Sequence, residues 1–183
     1  MKYIPQFDTS DCGAACLAMI ASSYGSRWSL ARVRDVAGTD RRGTNLNGMV
    51  IAAQALGFEA SVLKSEKKLI DVDTPLPFIA HLDLGNQHSH FVVVYKKQGN
   101  RLWIADPNPE KKKSLVKKEE FDKEWTGYAV FLTPTPDFKP VKETSGKLRR
   151  YLPLLQPHIG TILKSIFASI ILSVLGIIGS FYL

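Results

Sequence analysis

An uncharged apolar run at the C-terminal end constrains the fold of this chain more than any other feature. Residues 165–183 read SIFASIILSVLGIIGSFYL and contain no charged side chain. A helix over this run would be about 28 Å long at about 1.5 Å per residue, and the hydrocarbon core of a bilayer is roughly 30 Å thick. Because nearly every position is apolar, without the periodicity of an amphipathic helix, the run favours a transmembrane helix over a buried core helix.

Basic residues precede this run. Lys147, Arg149, Arg150 and Lys164 all lie on its N-terminal side, so the positive-inside rule predicts that the rest of the chain is cytoplasmic. Since the sequence stops inside or just after the run, we expect either a tail anchor or part of a longer membrane protein. The N-terminus, MKYIPQFDTSDC, lacks the apolar stretch of a secretory signal.

Ahead of this run, a helix-rich half is followed by a strand-rich half. Apolar spacing and glycine stops predict helices over residues 12–24, 30–37 and 46–56. Apolar or alternating stretches predict strands over residues 58–64, 77–82, 90–95, 101–106 and 128–133, with a turn at 96–100 and a short helix at 117–125. Helices followed by an antiparallel sheet indicate an α+β fold.

A Pro-rich, charged stretch, PTPDFKPVKETSGK, separates these elements from the apolar run and is typical of a linker. We therefore predict a folded domain over residues 1–138, a linker over 139–153 and the start of a transmembrane region over 154–183.

Charge and cysteine content disfavour several classes of protein. The net charge is +7, but the basic runs 111–118 and 139–150 lack the regularly spaced aromatic residues of a nucleic-acid platform. The two cysteines and four histidines lack the spacing of a zinc site. The stretch GTNLNGMV has Met49 where a phosphate-binding loop carries Lys, so we do not expect this chain to bind ATP.

The two cysteines, Cys12 and Cys16, lie one helical turn apart. Cys12 falls in the first turn of its predicted helix, which is expected to be exposed and where N–H groups and the helix dipole favour a thiolate. Many helical cysteines are nevertheless small core residues. Cys16 shares an apolar face with Ala15 and Met19, which predicts a core position. A disulfide between them is geometrically unfavourable.

A cysteine nucleophile requires a base, and the predicted hairpin supplies one. If Lys97 to Gly99 form a three-residue loop, His90 lies opposite Asp106, and a two- or four-residue loop moves the pair apart by one position. Asp106 before Pro107 is also typical of a turn, and His81 is expected to be structural. Gln6 has a side-chain amide suited to an oxyanion, but its spacing alone also fits a surface residue.

These residues together resemble the double-glycine peptidase domain, a papain-like cysteine peptidase domain. It lies at the N-terminus of ABC transporters that process and export bacteriocins and quorum-sensing peptides. The resemblance rests on Gln6, on DCGAACLAMI with Cys12, on HFVVV from His90 and on ADP with Asp106, and covers residues 1–138. It implies a papain-like fold in which Cys12 is the nucleophile, His90 the general base and acid, Asp106 the orienting group and Gln6 the oxyanion donor.

The resemblance also implies a function. The domain would cut a secreted precursor peptide (a bacteriocin, lanthipeptide or signalling peptide) after Gly-Gly or Gly-Ala, at the cytoplasmic side of a bacterial cell membrane. No cofactor is expected for this domain; ATP and Mg²⁺ would serve a nucleotide-binding domain that this sequence lacks. Expected partners are the precursor peptide, the membrane through residues 159–183, and the remainder of an ABC transporter that is dimeric at full length, with no nucleic acid.

Two alternatives remain open at this stage. One is a membrane-tethered module that binds a leader peptide without cleaving it, since some members of such families have lost the cysteine. The other is an unrelated papain-like transferase that uses the same three residues.

Overall fold

The computed structural model describes residues 1–65, 70, 74–85, 89–143 and 156–182. An antiparallel sheet is the centre of the N-terminal unit, Met1–Glu143. Its strands within the described residues lie in the order β1-β6-β2-β3-β4-β5. They are β1 (Phe58–Lys64), β2 (Phe78–Asp83), β3 (Ser89–Gln98), β4 (Arg101–Ala105), β5 (Lys113–Lys117) and β6 (Trp125–Pro134).

The helices of the N-terminal unit are α1 (Cys12–Ser23), α2 (Leu30–Ala37), α3 (Leu46–Ala55) and α4 (Lys118–Glu124), and a 3₁₀ turn, Thr9–Asp11, leads into α1. Capping residues mark the start of α3 and the end of α2. The Asn45 side chain accepts a hydrogen bond of 2.7 Å from the Gly48 amide at the start of α3. Helix α2 ends at Gly38, whose φ of 60° places it in the left-handed region.

Strand β3 is buried on both faces, as its apolar sequence predicts. Phe91 and Val93 face the core formed with α1, α2 and α3. Val92 and Val94 face a second core that contains Phe121 of α4. The α+β fold is therefore a helical layer against one face of an antiparallel sheet, with α4 on the other.

Helix α1 is buried all round instead of along one face. Every residue from Cys12 to Ala21 is buried. The prediction of a single buried face is wrong because α1 lies between β3 and the helices α2 and α3. Small residues such as Ala14 and Ala18 occupy the faces of α1 that would be exposed to solvent if the helix packed only against the sheet.

The hairpin of β3 and β4 differs from the prediction in its turn and register. Strand β3 extends to Gln98, which pairs with Arg101, so the turn is Gly99–Asn100. Between the pair Val94↔Ile104 and the pair Lys96↔Trp103 the register shifts by one residue, at a β-bulge that contains Tyr95. The predicted turn over 96–100 and three-residue loop are wrong, and β5 was not predicted.

Residues after β6 pack onto the helical layer. The Phe138 ring lies 4.7 Å from the Phe58 ring, between centroids, and the Glu143 carboxylate accepts a 2.7 Å hydrogen bond from the Ser29 amide at the start of α2. The N-terminal unit thus extends to Glu143. Of the predicted linker, residues 144–153 lie outside the described residues, and the division into three regions stays a prediction.

The second unit, Thr144–Leu183, contains the apolar run. A 3₁₀ turn, Gln156–His158, precedes α5 (Ile159–Tyr182). The segment Ile159–Ile178 has a mean hydropathy of 2.2 and no buried residues, so α5 is long and apolar enough to cross a membrane. Leu183 of the predicted membrane segment lies outside the described residues.

Candidate active site

Cys12 is the first residue of α1 and is buried, with 4% of its surface exposed. The expectation that it lies on an exposed turn is wrong, because α1 approaches the sheet closely at this end. Gly13 makes this approach possible: a Cβ at this position would lie 3.0 Å from Thr44 Cβ and 3.5 Å from the Phe91 ring.

His90 and Asp106 meet beside Cys12. The His90 Nε2 atom lies 2.7 Å from Asp106 Oδ1, and both residues are buried. The Cys12 thiol is near enough to the His90 imidazole to raise the pKa of the ring. With Nε2 engaged by Asp106, the other ring nitrogen is the one available to the thiol. The structure thus brings together the three residues that the sequence proposes as nucleophile, base and orienting group.

The contact between His90 and Asp106 arises from a different register than predicted. Val93 pairs with Ala105, so the next position along β4 brings Asp106 beside Val92 instead of His90. His90 lies two residues further along the same face of β3, and a diagonal pair of this kind is within reach of long side chains. The predicted directly opposed pair is wrong, although the side chains meet.

The charge state of His90 follows from its neighbours. Burial lowers the pKa of His90, but the hydrogen bond to Asp106 and the nearby Cys12 thiol outweigh burial and raise the pKa to about 9. Asp106 Oδ1 also accepts a 2.8 Å hydrogen bond from the Asn108 amide, and Lys111 Nζ lies 4.0 Å from Oδ2. At neutral pH the ring is therefore an imidazolium that donates from Nε2 to Asp106.

Gln6 lies in an extended segment that joins the two halves of the site. Its amide donates a 2.9 Å hydrogen bond to the carbonyl of Pro107, the residue after Asp106. Its side-chain Oε1 is buried and has no hydrogen-bond partner within the part of the chain that the structure describes. The segment continues through the 3₁₀ turn into Cys12, so Gln6 is tied to Pro107 by a hydrogen bond and to Cys12 by the chain.

His81 is the other histidine described in the N-terminal unit, and it does not join this arrangement. His81 lies on β2, where its Nδ1 is 2.9 Å from Thr126 Oγ1. Burial lowers the pKa of His81, and the nearby Asp83 opposes this effect only in part. His88 lies outside the described residues, and His158 belongs to the C-terminal unit.

Cys16 is a core residue, as predicted. It is fully buried and its Sγ–H donates a 3.3 Å hydrogen bond to the Phe91 carbonyl. Burial, followed by the negative charges of Cys12 and Asp106, raises the pKa of the Cys16 thiol. It therefore stays a neutral thiol at physiological pH and is not a nucleophile.

A polar cleft opens beside the first turn of α1. Its volume is about 550 Å³, and its walls are the loop between α2 and α3 and the adjacent ends of β2 and β3. Thr44, Phe91 and Arg42 line it. The cleft was not predicted, because the loop residues RRGTN carry no periodic pattern and only the fold brings Gly43 and Thr44 next to Ser10 and Gly13.

A buried carboxylate next to the nucleophile was also missed. Asp11 has no exposed side-chain surface and pairs with Arg34 of α2. The sequence presents Asp11 only as one of several possible helix caps. The position of Asp11 directly before a buried helix could have indicated this role, because a buried acidic side chain must have a cationic or N–H partner.

Known proteins resemble this chain in sequence. The sequence model of the Peptidase C39 family matches residues 1–137. The chain is 40% identical over its whole length to the mesentericin-Y105 transport/processing ATP-binding protein MesD of Leuconostoc mesenteroides. It is 38% identical, over 99% of its length, to the transport/processing ATP-binding protein ComA of Streptococcus pneumoniae. The chain spans about a quarter of the length of these relatives (26% and 25%).

Solved structures resemble the N-terminal unit. The peptidase domain of Streptococcus ComA, a bi-functional ABC transporter involved in quorum sensing, matches with a TM-score of 0.69 and 44% identity, over 73% of this chain and 100% of that one. A double glycine motif protease from an AMS/PCAT transporter, crystallised with its leader peptide, matches with a TM-score of 0.66 and 32% identity. That match covers 73% of this chain and 91% of the protease.

Proposed function

Because the chain belongs to the Peptidase C39 family, we propose that it is a cysteine endopeptidase that removes the leader from a secreted precursor peptide. We place the cut after a Gly-Gly or Gly-Ala pair. The observation that carries the proposal is the buried arrangement of Cys12, His90 and Asp106 at the start of α1. The similarity to transport/processing proteins, and to a double glycine motif protease that binds a leader peptide, supports the choice of substrate.

The first half of the reaction forms a thioester. The Cys12 thiolate attacks the carbonyl carbon of the second residue of the Gly-Gly or Gly-Ala pair, and the carbonyl oxygen becomes an oxyanion. The Cys12 N–H and the Gln6 side-chain amide donate hydrogen bonds to this oxygen. The oxyanion then collapses, the C–N bond breaks, and the His90 imidazolium gives its proton to the leaving amine, which becomes the N-terminus of the released peptide.

The second half releases the leader. His90, now neutral, accepts a proton from water as the water oxygen attacks the thioester carbonyl. The C–S bond breaks, the leader leaves as a carboxylic acid that loses its proton to solvent, and the thiolate and imidazolium are restored. Asp106 keeps Nε2 of the ring engaged through both steps, so the other nitrogen always faces the thiol and the scissile bond.

The location and partners follow from the family and from α5. We propose that the peptidase unit lies at the cytoplasmic side of a bacterial cell membrane and that α5 is the first membrane helix of an exporter. ATP and Mg²⁺ would then bind to a separate nucleotide-binding domain, and the peptidase itself uses no cofactor. The relatives are named transport/processing ATP-binding proteins, which supports coupling of cleavage to export by a dimeric full-length transporter.

Cleavage of a synthetic precursor tests this function. The full chain in detergent micelles is incubated with a leader peptide that ends in Gly-Gly before a short cargo, and the products are read by mass spectrometry. We expect one cut after the second glycine, no cut with Cys12→Ala, and binding of the peptide by both proteins. The matched control is Cys16→Ala, which removes the buried thiol and keeps the nucleophile.

Two outcomes would favour the alternatives. Binding of the peptide by the wild-type chain without cleavage would identify a leader-binding module instead of a peptidase. A thioester on Cys12 that reacts with amines in preference to water would identify a transferase.

A further inference from the structure

The carboxylate of Asp11 is the most deeply buried charge beside the proposed site. Its side chain has no exposed surface, and Oδ1 lies 3.1 Å from Arg34 Nε, which reaches it from α2. Arg34 Nη1 lies 3.5 Å from Oδ2. A buried carboxylate is costly unless cations and N–H groups surround it, so this position has a specific role.

The hydrogen bonds of Asp11 run backward along the chain instead of into helix α1. Its side chain makes no capping bond to α1. Instead, Oδ2 accepts the amide hydrogens of Phe7 and Asp8 at 3.2 and 3.1 Å. The bond from the Asp8 amide is half of a capping box at the start of the 3₁₀ turn, in which the Asp8 carboxylate also accepts from the Thr9 amide. Asp11 therefore fixes the segment that precedes the turn.

Gln6 is the residue that these bonds hold in place. On one side its own amide is bonded to Pro107, next to Asp106; on the other side the next two amides are bonded to Asp11, next to Cys12. Three consecutive amides are thus fixed between the two halves of the site. The backbone at Gln6 is therefore held relative to Pro107 and Asp11.

We propose that Asp11 and Arg34 are positioning residues that hold Gln6 where its amide meets the oxyanion. This inference rests on the proposed function. The Arg34 guanidinium pairs with the Asp11 carboxylate and holds it in a fixed orientation. Asp11 transmits this order to Gln6 through the Phe7 and Asp8 amides. Neither residue touches the substrate in this proposal.

Kinetics of Arg34 variants test the proposal. Loss of one oxyanion donor lowers kcat by about 10²–10³-fold, and a misplacement of about 1 Å costs on the order of 10²-fold. We expect Arg34→Met to lower kcat for leader cleavage by at least about tenfold, with KM within about twofold. Arg34→Lys keeps the charge and loses the planar geometry, so its kcat should lie between those of Arg34→Met and the wild-type chain. Arg32→Met, on the exposed side of the same helix, is the matched control, and its kcat and KM should equal those of the wild-type chain.

Two further measurements separate positioning from a loss of folding. Alkylation of Cys12 by iodoacetamide forms no oxyanion, so its rate should be the same in Arg34→Met and the wild-type chain. In a Gln6→Ala background the oxyanion donor is already gone. Adding Arg34→Met should then lower kcat by less than about twofold relative to Gln6→Ala alone.

The outcomes distinguish this inference from the proposed function. Equal kcat in Arg34→Met and wild type, or a full additional loss in the Gln6→Ala background, would overturn the inference and leave the peptidase intact. A parallel loss of alkylation rate would show a damaged fold or thiol and would also overturn it. If the wild-type chain cleaves no Gly-Gly peptide, the proposed function fails and this inference fails with it.

Discussion

The pKa of His90 gives the sharpest test of the site, through the substitution Asp106→Asn. The wild-type pKa is about 9, because the hydrogen bond to Asp106 and the nearby Cys12 thiol outweigh burial. Asparagine keeps an oxygen acceptor but loses the charge. We expect the pKa of His90 to fall by about two units, which changes the imidazolium-to-imidazole ratio at pH 8 from about 10:1 to about 1:10.

Two assays measure this shift. Imidazole nitrogen chemical shifts, followed from pH 5 to about pH 10, give the pKa of His90 directly. If the thiolate–imidazolium pair is the active form, the basic limb of kcat/KM follows the same group and moves to lower pH in Asp106→Asn, with an activity loss of about tenfold or more at pH 8. Asp83→Asn, which removes a carboxylate near His81, is the matched control and should leave His90 unchanged.

The same shift has a consequence for stability. A histidine whose pKa is raised in the folded state stabilises that state fully below its ordinary value of 6.5, and the contribution disappears as the pH rises through about 9. For His90 it is on the order of 3 kcal/mol. Between pH 6 and about pH 10, the free energy of unfolding measured with urea should therefore fall more for the wild-type chain than for Asp106→Asn. A pKa of His90 in Asp106→Asn within about half a unit of the wild-type value would refute the reasoning.

Three further substitutions test the packing around the site. Gly48→Ala would place a Cβ 2.3 Å from the Ala37 carbonyl oxygen, so we expect a loss of about 1–3 kcal/mol in the free energy of unfolding, measured by urea denaturation. Cys16→Ala removes a fully buried thiol outside the reaction; we expect cleavage within about threefold of wild type and a stability loss of about 1–2 kcal/mol by thermal unfolding. Phe138→Ala removes a ring that packs on Phe58, and should lower the urea midpoint by an amount equivalent to about 2–4 kcal/mol.

Controls and contrary results are available for each substitution. Asn47→Ala, on the exposed side of α3, should change the stability little, and a Gly48→Ala protein as stable as Asn47→Ala would contradict the close approach of α2 and α3. A folded but inactive Cys16→Ala protein would mean that the roles of the two cysteines are misassigned. An unchanged urea midpoint in Phe138→Ala would show that residues after β6 do not contribute to the N-terminal unit.

The local elements were predictable where the sequence carries local chemistry. Asn45 and Gly38 mark the start of α3 and the end of α2, because side-chain capping and a left-handed φ depend on only a few neighbouring residues. The apolar run HFVVVY likewise predicted a strand buried on both faces, since alternation is lost only when both sides are covered.

Features that depend on distant residues were not predictable. The burial of Cys12 results from the approach of α1 to the sheet. Gly13 permits this approach, but a glycine at this position does not by itself predict it. Strand β5 is short and carries charge at both ends, and it exists because it pairs with β4. The partnership of Asp11 and Arg34 joins residues from separate helical elements, and their spacing along the chain has no periodic meaning.

The bulge at Tyr95 makes the site sensitive to chain length in a position-dependent way. Successive residues of a strand face opposite sides, so with the register of Lys96↔Trp103 continued unbroken, Asp106 would fall beside Val93 and on the opposite face from His90. Deletion of Tyr95 itself would remove the bulge and keep the pairs on both sides of it, whereas one residue deleted between His90 and the bulge would move His90 one position along β4 and onto the face opposite Asp106. A residue added in the Gly99–Asn100 turn can be absorbed as a longer loop beyond the bulge. We expect natural length variation in this hairpin at its tip, and a constant number of residues between His90 and the bulge and between the bulge's partner, Trp103, and Asp106.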